Sequence, residues 1–294
     1  EASPGRWKRC DNVPVIAIHD RFPSQQRASH FAKICAESGG IPIGNSPALT
    51  LLCRDKLACQ QALESAGIAE QPSIESDPAA FSGQLAAWGA GFLKPRFGAL
   101  GVGIRRVVPG DALPAHLPGV VAGHYDPAIL QRAVPAPAGW GGWSARVVCQ
   151  REVGGAWIQQ EPAVRRHRSD PVVNAVRGAD VVPGSSALTP DTLDAVRRLA
   201  QRVTEAIDAL PEGVWALEVG VDLVIDPDGH PWLIEVNSRP QGRLEALAKQ
   251  DPDRFAAAHV ASCARPLRTL AWLATLTPRW SSPGPPTSAG APSE

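Results

Sequence analysis

The stretch "LEVGVDLVIDPDGHPWLIEVNSRP", Leu217 to Pro240, places Asp222, Glu235 and Asn237 in runs that otherwise suit buried strands. Asp226-Pro227-Asp228-Gly229 between the two runs is a turn signal. If those four residues form the loop, Ile225 faces His230 and Asp222 faces Leu233. Glu235 and Asn237 then share a face with Asp222, because same-face neighbours on a strand repeat every two residues. Asp222 and Glu235 become diagonal neighbours about 7–8 Å apart at the backbone. Two carboxylates and an amide oxygen are hard oxygen donors, suited to Mg²⁺ or Mn²⁺ with phosphates and water completing the shell. The alternative is a pair of ordinary salt bridges at a sheet rim. A one-residue slip of register would turn Asp222 to the other face. No matching His/Cys set for zinc accompanies them.

A second constellation is "GFLKPRFGALGVGI", with Lys94 at the end of an apolar strand and Gly98, Gly101 and Gly103 in the loop after it. Glycines let backbone N–H groups approach anionic oxygens. The order is wrong for a P-loop, where lysine follows the glycines, and wrong for a dinucleotide fingerprint, because "IRRVV" reads as a strand. A glycine-rich hairpin closing over phosphates, with Lys94 aimed at them, fits better; a plain surface hairpin is the competing reading. Lysine is scarce, five residues among 29 basic ones, which singles out Lys56 as well, although a helix lysine is ordinarily solvated. Gln131 in "ILQRAV", with backbone groups near Ala133 and Val134, could read an adenine edge, or be an edge-strand polar residue.

These residues need elements to hold them. "VPVIAI", "HDRFPSQ", a helix near Ser24–Ser38 and the short strand "IPIG" give an α/β rhythm. One helix runs from Pro47, with Ser46 as N-cap, to a stop at Gly67, and puts Lys56 mid-helix. A strand near Pro72–Ile74, a helix around Pro78–Trp88, the strand Gly91–Pro95 and a return strand Ile104–Val108 follow. A Pro/Gly-rich connector covers Pro109 to Tyr125, and Ala128–Val134 is a further strand. "SARVVCQ" and "AWIQQ" flank a Gly-Gly hairpin. Thr189-Pro190 opens an amphipathic helix carrying Leu193, Val196, Leu199, Val203 and Ile207. Helices continue to about Leu276, before a Pro/Ser/Gly tail of disordered composition.

Composition excludes several classes. The chain has 294 residues, 44% apolar and 20% charged, with 29 acids and 29 bases. That balance, without a basic stripe interleaved with aromatics, argues against a nucleic-acid partner. Arg265 and Arg268 interrupt the most apolar late segment, so no membrane span is expected. Six scattered cysteines without C-x-x-C spacing read as reduced thiols of a cytoplasmic protein. The chain lacks Met and reads as a fragment or processed product.

Taken together, "HDRFPSQ", "GIPIGNSPALTLLCRDKLACQQAL", "FLKPRFGALGVGI", "ILQRAV", "SARVVCQREVGGAWIQQ", "VVNAVRGA" and "GVDLVIDPDGHPWLIEVNSRP" resemble, in collinear order from about residue 15 to 242, the ATP-grasp superfamily. Within it they look most like the YheC/YheD (endospore coat-associated) family, related to glutathione synthetase and RimK-type ligases. The resemblance implies an α/β (α+β) ATP-grasp fold of two lobes clamping ATP. It divides the chain into a truncated N-terminal α/β domain over 1–46, a small lobe over 47–134, a large lobe over 135–277 and a tail over 278–294. It gives Lys56 and Lys94 to the phosphates, Gly98, Gly101 and Gly103 to the loop over them, and Gln131 and Val134 to the adenine hinge. Asp222, Glu235 and Asn237 become magnesium ligands, and Asn174 matches the family's "N…G" segment. Arg146 matches the arginine of a D-x-R element, and Arg165 or Arg166 a second arginine near the phosphates. Ser144 stands where the family has the acid of D-x-R, so Arg146 is expected to be oriented differently. The implied activity is ADP-forming ligation of a small-molecule or peptide carboxylate to an amine through an acyl phosphate, with Arg146, Lys94 and Arg165 as catalytic groups and ATP and Mg²⁺ (or Mn²⁺) as cofactors. The resemblance allows a homodimer. The alternative is an ATP-binding scaffold or coat-associated structural protein that ligates nothing.

Overall fold

Asp226-Pro227-Asp228-Gly229 does make the expected turn, but the hairpin it closes has its own register. The computed structural model describes residues 15–21, 33, 36–37, 41–98, 101–119, 121, 123–173 and 178–276. Most of the helix expected near Ser24–Ser38, Asn174 and the tail expected from 278 on lie outside these residues. Strands β1 (Ile18–His19) and β2 (Ile43–Gly44) form a short parallel pair. The two larger sheets are antiparallel.

The small sheet runs β3 (Ile74–Glu75), β7 (Tyr125–Arg132), β4 (Gly91–Pro95), β5 (Arg105–Val107), with β6 (His116–Pro118) also on β7. Helix α3 (Phe81–Trp88) covers it, burying Phe81 and Leu85 against Leu93, Val107 and Leu130. Gly89 ends that helix at φ 73°, a left-handed turn that glycine adopts without a Cβ clash. Strand β6 falls inside the stretch expected to be a plain connector. Its three residues carry one buried side chain, Leu117, too short an apolar signal to read in sequence.

The large sheet runs β11 (Asp180–Pro183), β10 (Ala163–His167), β8 (Gly142–Arg151), β12 (Glu218–Ile225), β13 (Pro231–Asn237), and β9 (Trp157–Gln159) pairs with the far end of β8. The hairpin between β8 and β9 turns at Gly154 and Gly155, both at positive φ, as their sequence suggests. After the short α4 (Gly184–Ala187), helix α5 (Pro190–Ala209) starts as expected, with the Thr189 hydroxyl accepting from Thr192 N–H. It buries Val196, Leu199, Val203 and Ile207 against Val219, Val221 and Leu223. Helices α6 (Leu244–Gln250) and α7 (Pro252–Leu276) follow. Among the described residues no helix is long and apolar enough to cross a membrane.

The helix expected from Pro47 to Gly67 is two helices, α1 (Pro47–Arg54) and α2 (Lys56–Ser65). Asp55 breaks it. Its backbone is extended, and its carboxylate accepts from Leu57 N–H and Ala58 N–H while pairing with Arg96. A side chain that satisfies free N–H groups starts a new helix in preference to continuing the old one. Lys56 is therefore the first residue of α2 rather than a mid-helix residue. Gly67 does stop the second helix, at φ 90°, with Ile68 N–H donating to Leu63 O. Leu49, Cys53, Cys59 and Leu63 of these helices belong to the same core as β12 and β13.

Candidate active site

The β12–β13 hairpin pairs Ile225 with Pro231 and Asp222 with Glu235, not Asp222 with Leu233. Two departures from the expected register produce this. The loop takes in His230, whose N–H donates to Asp226, and a bulge at Asp222/Leu223 leaves Ile234 as an extra residue on β13. Each shift alone would flip the face of one strand; the two together restore it. Asp222 and Glu235 end directly opposite each other, closer than the expected diagonal. Asn237 stays beside them, its amide nitrogen 2.9 Å from Asp222 Oδ2.

Across the sheet, Asp222 is paired with Arg146 on β8, and Arg146 in turn with Ala163 on β10. Arg146 Nε donates to Asp222 Oδ1 at 2.8 Å and its Nη2 to Oδ2; Arg165 Nη2 donates to Oδ1 at 2.9 Å. The carboxylate thus accepts four hydrogen bonds and is saturated. Burial alone would raise the Asp222 carboxyl, but Arg146 and Arg165 outweigh it and hold it below the ordinary aspartate value. Burial likewise works against Arg146, and Asp222 overcomes it, so that guanidinium is held above its usual range. For Arg165 burial prevails, aided by Arg146, and its pKa falls. The expected consequence of Ser144, a differently oriented Arg146, is answered here: Asp222 supplies the fixing carboxylate from the next strand. Ser144 Oγ is buried without a partner among the described residues. Of the two arginines offered by the sequence, Arg165 faces this site, whereas Arg166 lies over the Trp140 ring, 4.8 Å from its centroid.

The facing wall comes from the small sheet. Lys94 on β4 and Gln131 on β7 are both buried, and Lys94 Nζ donates to Gln131 Oε1. Burial pulls the Lys94 ammonium down from 10.5 to about 8; Glu235 opposes this and Lys56 assists it. Lys56 itself does not line the cleft. Its Nζ donates to Gly98 O beneath the glycine hairpin, so it tethers that hairpin to α2. Gly98 and Gly101 face the cleft, but Gly103 turns away to a shallow groove. At Gly103, φ is 72° and an added Cβ would lie 2.8 Å from Pro118 O, so glycine is required by the turn and the close approach. Arg96 holds the strand end by two hydrogen bonds to Asp55.

Between these walls lies a cleft of about 1090 Å³. Its lining includes the segment Ala133–Ala136, with Val134, and the Asp222–Glu235–Asn237 face. Among the described residues, nine arginine and lysine side chains line it against two carboxylates, Asp222 and Glu235. Glu235 makes no hydrogen bond or ion pair with any described residue, so its oxygens are available to a ligand. Among the described residues no group of three His, Cys, Asp or Glu side chains could hold a metal. The donor set in question is two carboxylates and an amide, and by hardness it fits a divalent cation. Of that set Asp222 is committed to its four donors, whereas the Glu235 carboxylate and the Asn237 amide oxygen accept no hydrogen bond from a described residue. Sequence reasoning missed Arg239, Gln241 and Arg243, which also line the cleft. The run "NSRPQGR" signalled only a loop, because nothing in its spacing says that it returns to the sheet face.

Comparisons with known proteins bear on the fold. Residues 128–263 match the family described as "YheC/D like ATP-grasp". In fold, the chain is similar to D-alanyl-alanine synthetase A from Vibrio cholerae (TM-score 0.56, 17% identity, 79% of this chain and 70% of that one). A RimK domain protein ATP-grasp from Sphaerobacter thermophilus gives TM-score 0.52 at 23% identity, over 80% of this chain and 78% of that one. Carboxyaminoimidazole ribonucleotide synthase from Aspergillus clavatus, complexed with ATP, gives 0.50 at 16% identity over 73% of this chain. The chain spans about half of that protein's length, 51%. No curated protein matches in sequence. The fold, a mixed helix and antiparallel-sheet architecture, is that of the ATP-grasp proteins. The family match itself is confined to residues 128–263, most of the large sheet and the helices after it.

Proposed function

We propose that this protein is an ATP- and magnesium-dependent carboxylate–amine ligase of the cytoplasm. The observation that carries the reading is the convergence, across one cleft, of Lys94 and Gln131 on the small sheet with Asp222, Glu235 and Asn237 on the large one. The adenine would lie against Ala133–Ala136 and Gln131, and the phosphates under Gly98 and Gly101 beside Lys94. Glu235 and Asn237, with Asp222 beside them, are the residues that would hold Mg²⁺, which supplies charge neutralisation at the phosphate oxygens.

In this reading a substrate carboxylate oxygen attacks the γ-phosphorus, the bond to the bridging oxygen breaks, and ADP leaves. The amine nitrogen of the second substrate then attacks the acyl carbon, loses a proton, and expels inorganic phosphate. Arg146 and Arg165 stand where the negative charge grows, fixed by Asp222 so that little reorganisation is needed. Lys94 balances the transferred phosphoryl group. Free thiols at Cys53, Cys59, Cys149 and Cys263 agree with a reducing compartment.

The test is Mg-ATP-dependent hydroxamate formation, with hydroxylamine trapping the acyl phosphate from a panel of carboxylates. Glu235→Gln is the appropriate variant. It should abolish hydroxamate and most of the Mg-dependent rise in melting temperature while leaving the protein folded. Asp222→Asn would leave two buried guanidinium groups uncompensated, at a cost of about 3–5 kcal/mol, and would confuse folding with function. Tight nucleotide binding with no hydroxamate across the panel would replace the ligase with an ATP-binding scaffold.

A further inference from the structure

Helix α7 has its polarity inverted. Its buried residues are Phe255, Ser262, Pro266, Thr269 and Leu270, and polar groups tie that face to β8. Gln150 donates to Ser262 O at 2.9 Å, and Arg265 donates to Gln150 Oε1 at 2.9 Å. The Thr269 hydroxyl donates to Arg151 O at 2.7 Å. The opposite face is apolar and open. Val260 is 67% exposed and Leu267 57%. A surface helix of a globular protein ordinarily shows the reverse arrangement, apolar side in and polar side out. At about 100° per residue, Asp253, Ala257, Val260, Ala264, Leu267 and Ala271 fall in one row. Its steps alternate between four residues and three, the spacing by which one helix meets another along its length. Asp253 opens the row and the exposed Arg268 flanks it. Neither forms an ion pair with a described residue. No residue of the row lines the cleft.

We propose that this face of α7 is a dimer interface, on which a second copy of the chain lays its own α7 antiparallel. The row is complementary to itself. With the two-fold axis at the level of residue 262, Ala257 meets Leu267 of the second copy, and Ala264 meets its Val260. Every contact then sets a small side chain against a larger one, so the two surfaces interlock without gaps. The same register brings Asp253 within about one helical turn of Arg268 of the second copy, and the symmetry makes that pair twice. A parallel arrangement would do the opposite. It would place aspartate beside aspartate, arginine beside arginine and alanine against alanine, with like charges together and the helices held apart at Val260 and Leu267. The overlap, residues 253–271, is about 27 Å long at 1.5 Å per residue. A contact of that size lies at the small end of specific interfaces, so the dimer should be reversible and of micromolar affinity. Burial of Val260 and Leu267 supplies its driving force. The ligase reading is not needed for any of this.

Sedimentation equilibrium of the full chain, from low to high micromolar concentration, is the experiment. It should show a reversible monomer–dimer equilibrium. Val260→Glu and Leu267→Glu should each weaken the dimer at least tenfold. Both side chains are exposed, so the dilute variants should keep the parent's circular dichroism and melting temperature. Asp253→Arg and Arg268→Asp should each weaken the dimer a few-fold. The two reversals combined in one chain should recover most of the loss, because the pairs form again with their signs exchanged. A chain that stays monomeric at every concentration would overturn the inference. So would a dimer as tight in Val260→Glu and Leu267→Glu as in the parent, since the contact would then lie elsewhere. A combined reversal that loses as much as its two parts added together would reject the antiparallel pairing.

Discussion

Lys94 is held in the site against an electrostatic cost of burial. It is buried, its pKa is about 8, and Gln131 is its neutral partner. Its lowered pKa gives a definite sign. Unfolding restores the ordinary lysine value of 10.5, so the unfolded chain binds the extra proton between pH 8 and 10.5. Burying the charged form costs about 3 kcal/mol below pH 8, and the cost fades as pH rises through the unfolded value. Ligand-free protein should therefore gain stability over that window, and Lys94→Met should flatten the gain. Nucleotide affinity should run the opposite way, falling as Lys94 loses its charge above pH 8, and that fall should vanish in Lys94→Met. Calorimetric titrations at pH 7 and 9.5 check both, and an affinity that falls equally in parent and variant would remove Lys94 from the phosphates.

At the scale of elements, the break between α1 and α2 matters most. Asp55 caps α2, grips Arg96 at the end of β4, and sets Lys56 under Gly98. Asp55→Ala should cost about 1 kcal/mol from the cap and a comparable amount from Arg96. It should also loosen the glycine hairpin, which hydrogen exchange across residues 96–104 would register as faster opening. Unchanged exchange there would mean that the hairpin holds itself. Here the legibility of the sequence is uneven for physical reasons. Strands β4, β8, β12 and helix α5 were readable because each presents enough apolar residues at one period. The Asp55 break was not, because an aspartate in a helix looks the same whether it faces solvent or caps its successor. The hairpin face was readable and its register was not. Turn chemistry names the loop residues, but a bulge depends on what packs under Ile234. The ion pairs of Asp222 were likewise invisible, since Arg146 and Arg165 lie 76 and 57 residues away.

For the molecule as a whole, the charge count hides its distribution. The chain holds 29 acids and 29 bases, yet its cleft shows nine cationic side chains and two carboxylates. The compensating acids therefore lie outside the lining of the cleft, which carries a net positive charge. A field of that shape acts before any contact is made. It turns an approaching polyanion toward the opening and raises the fraction of collisions that succeed, while salt screens it over roughly 10 Å at 0.1 M. Stopped-flow association of an ATP analogue should slow roughly tenfold between low and high ionic strength, with the dissociation rate changing far less. A neutral adenosine should show no such slowing. Nucleotide capture by this neutral chain would then depend on ionic strength as strongly as capture by a basic protein.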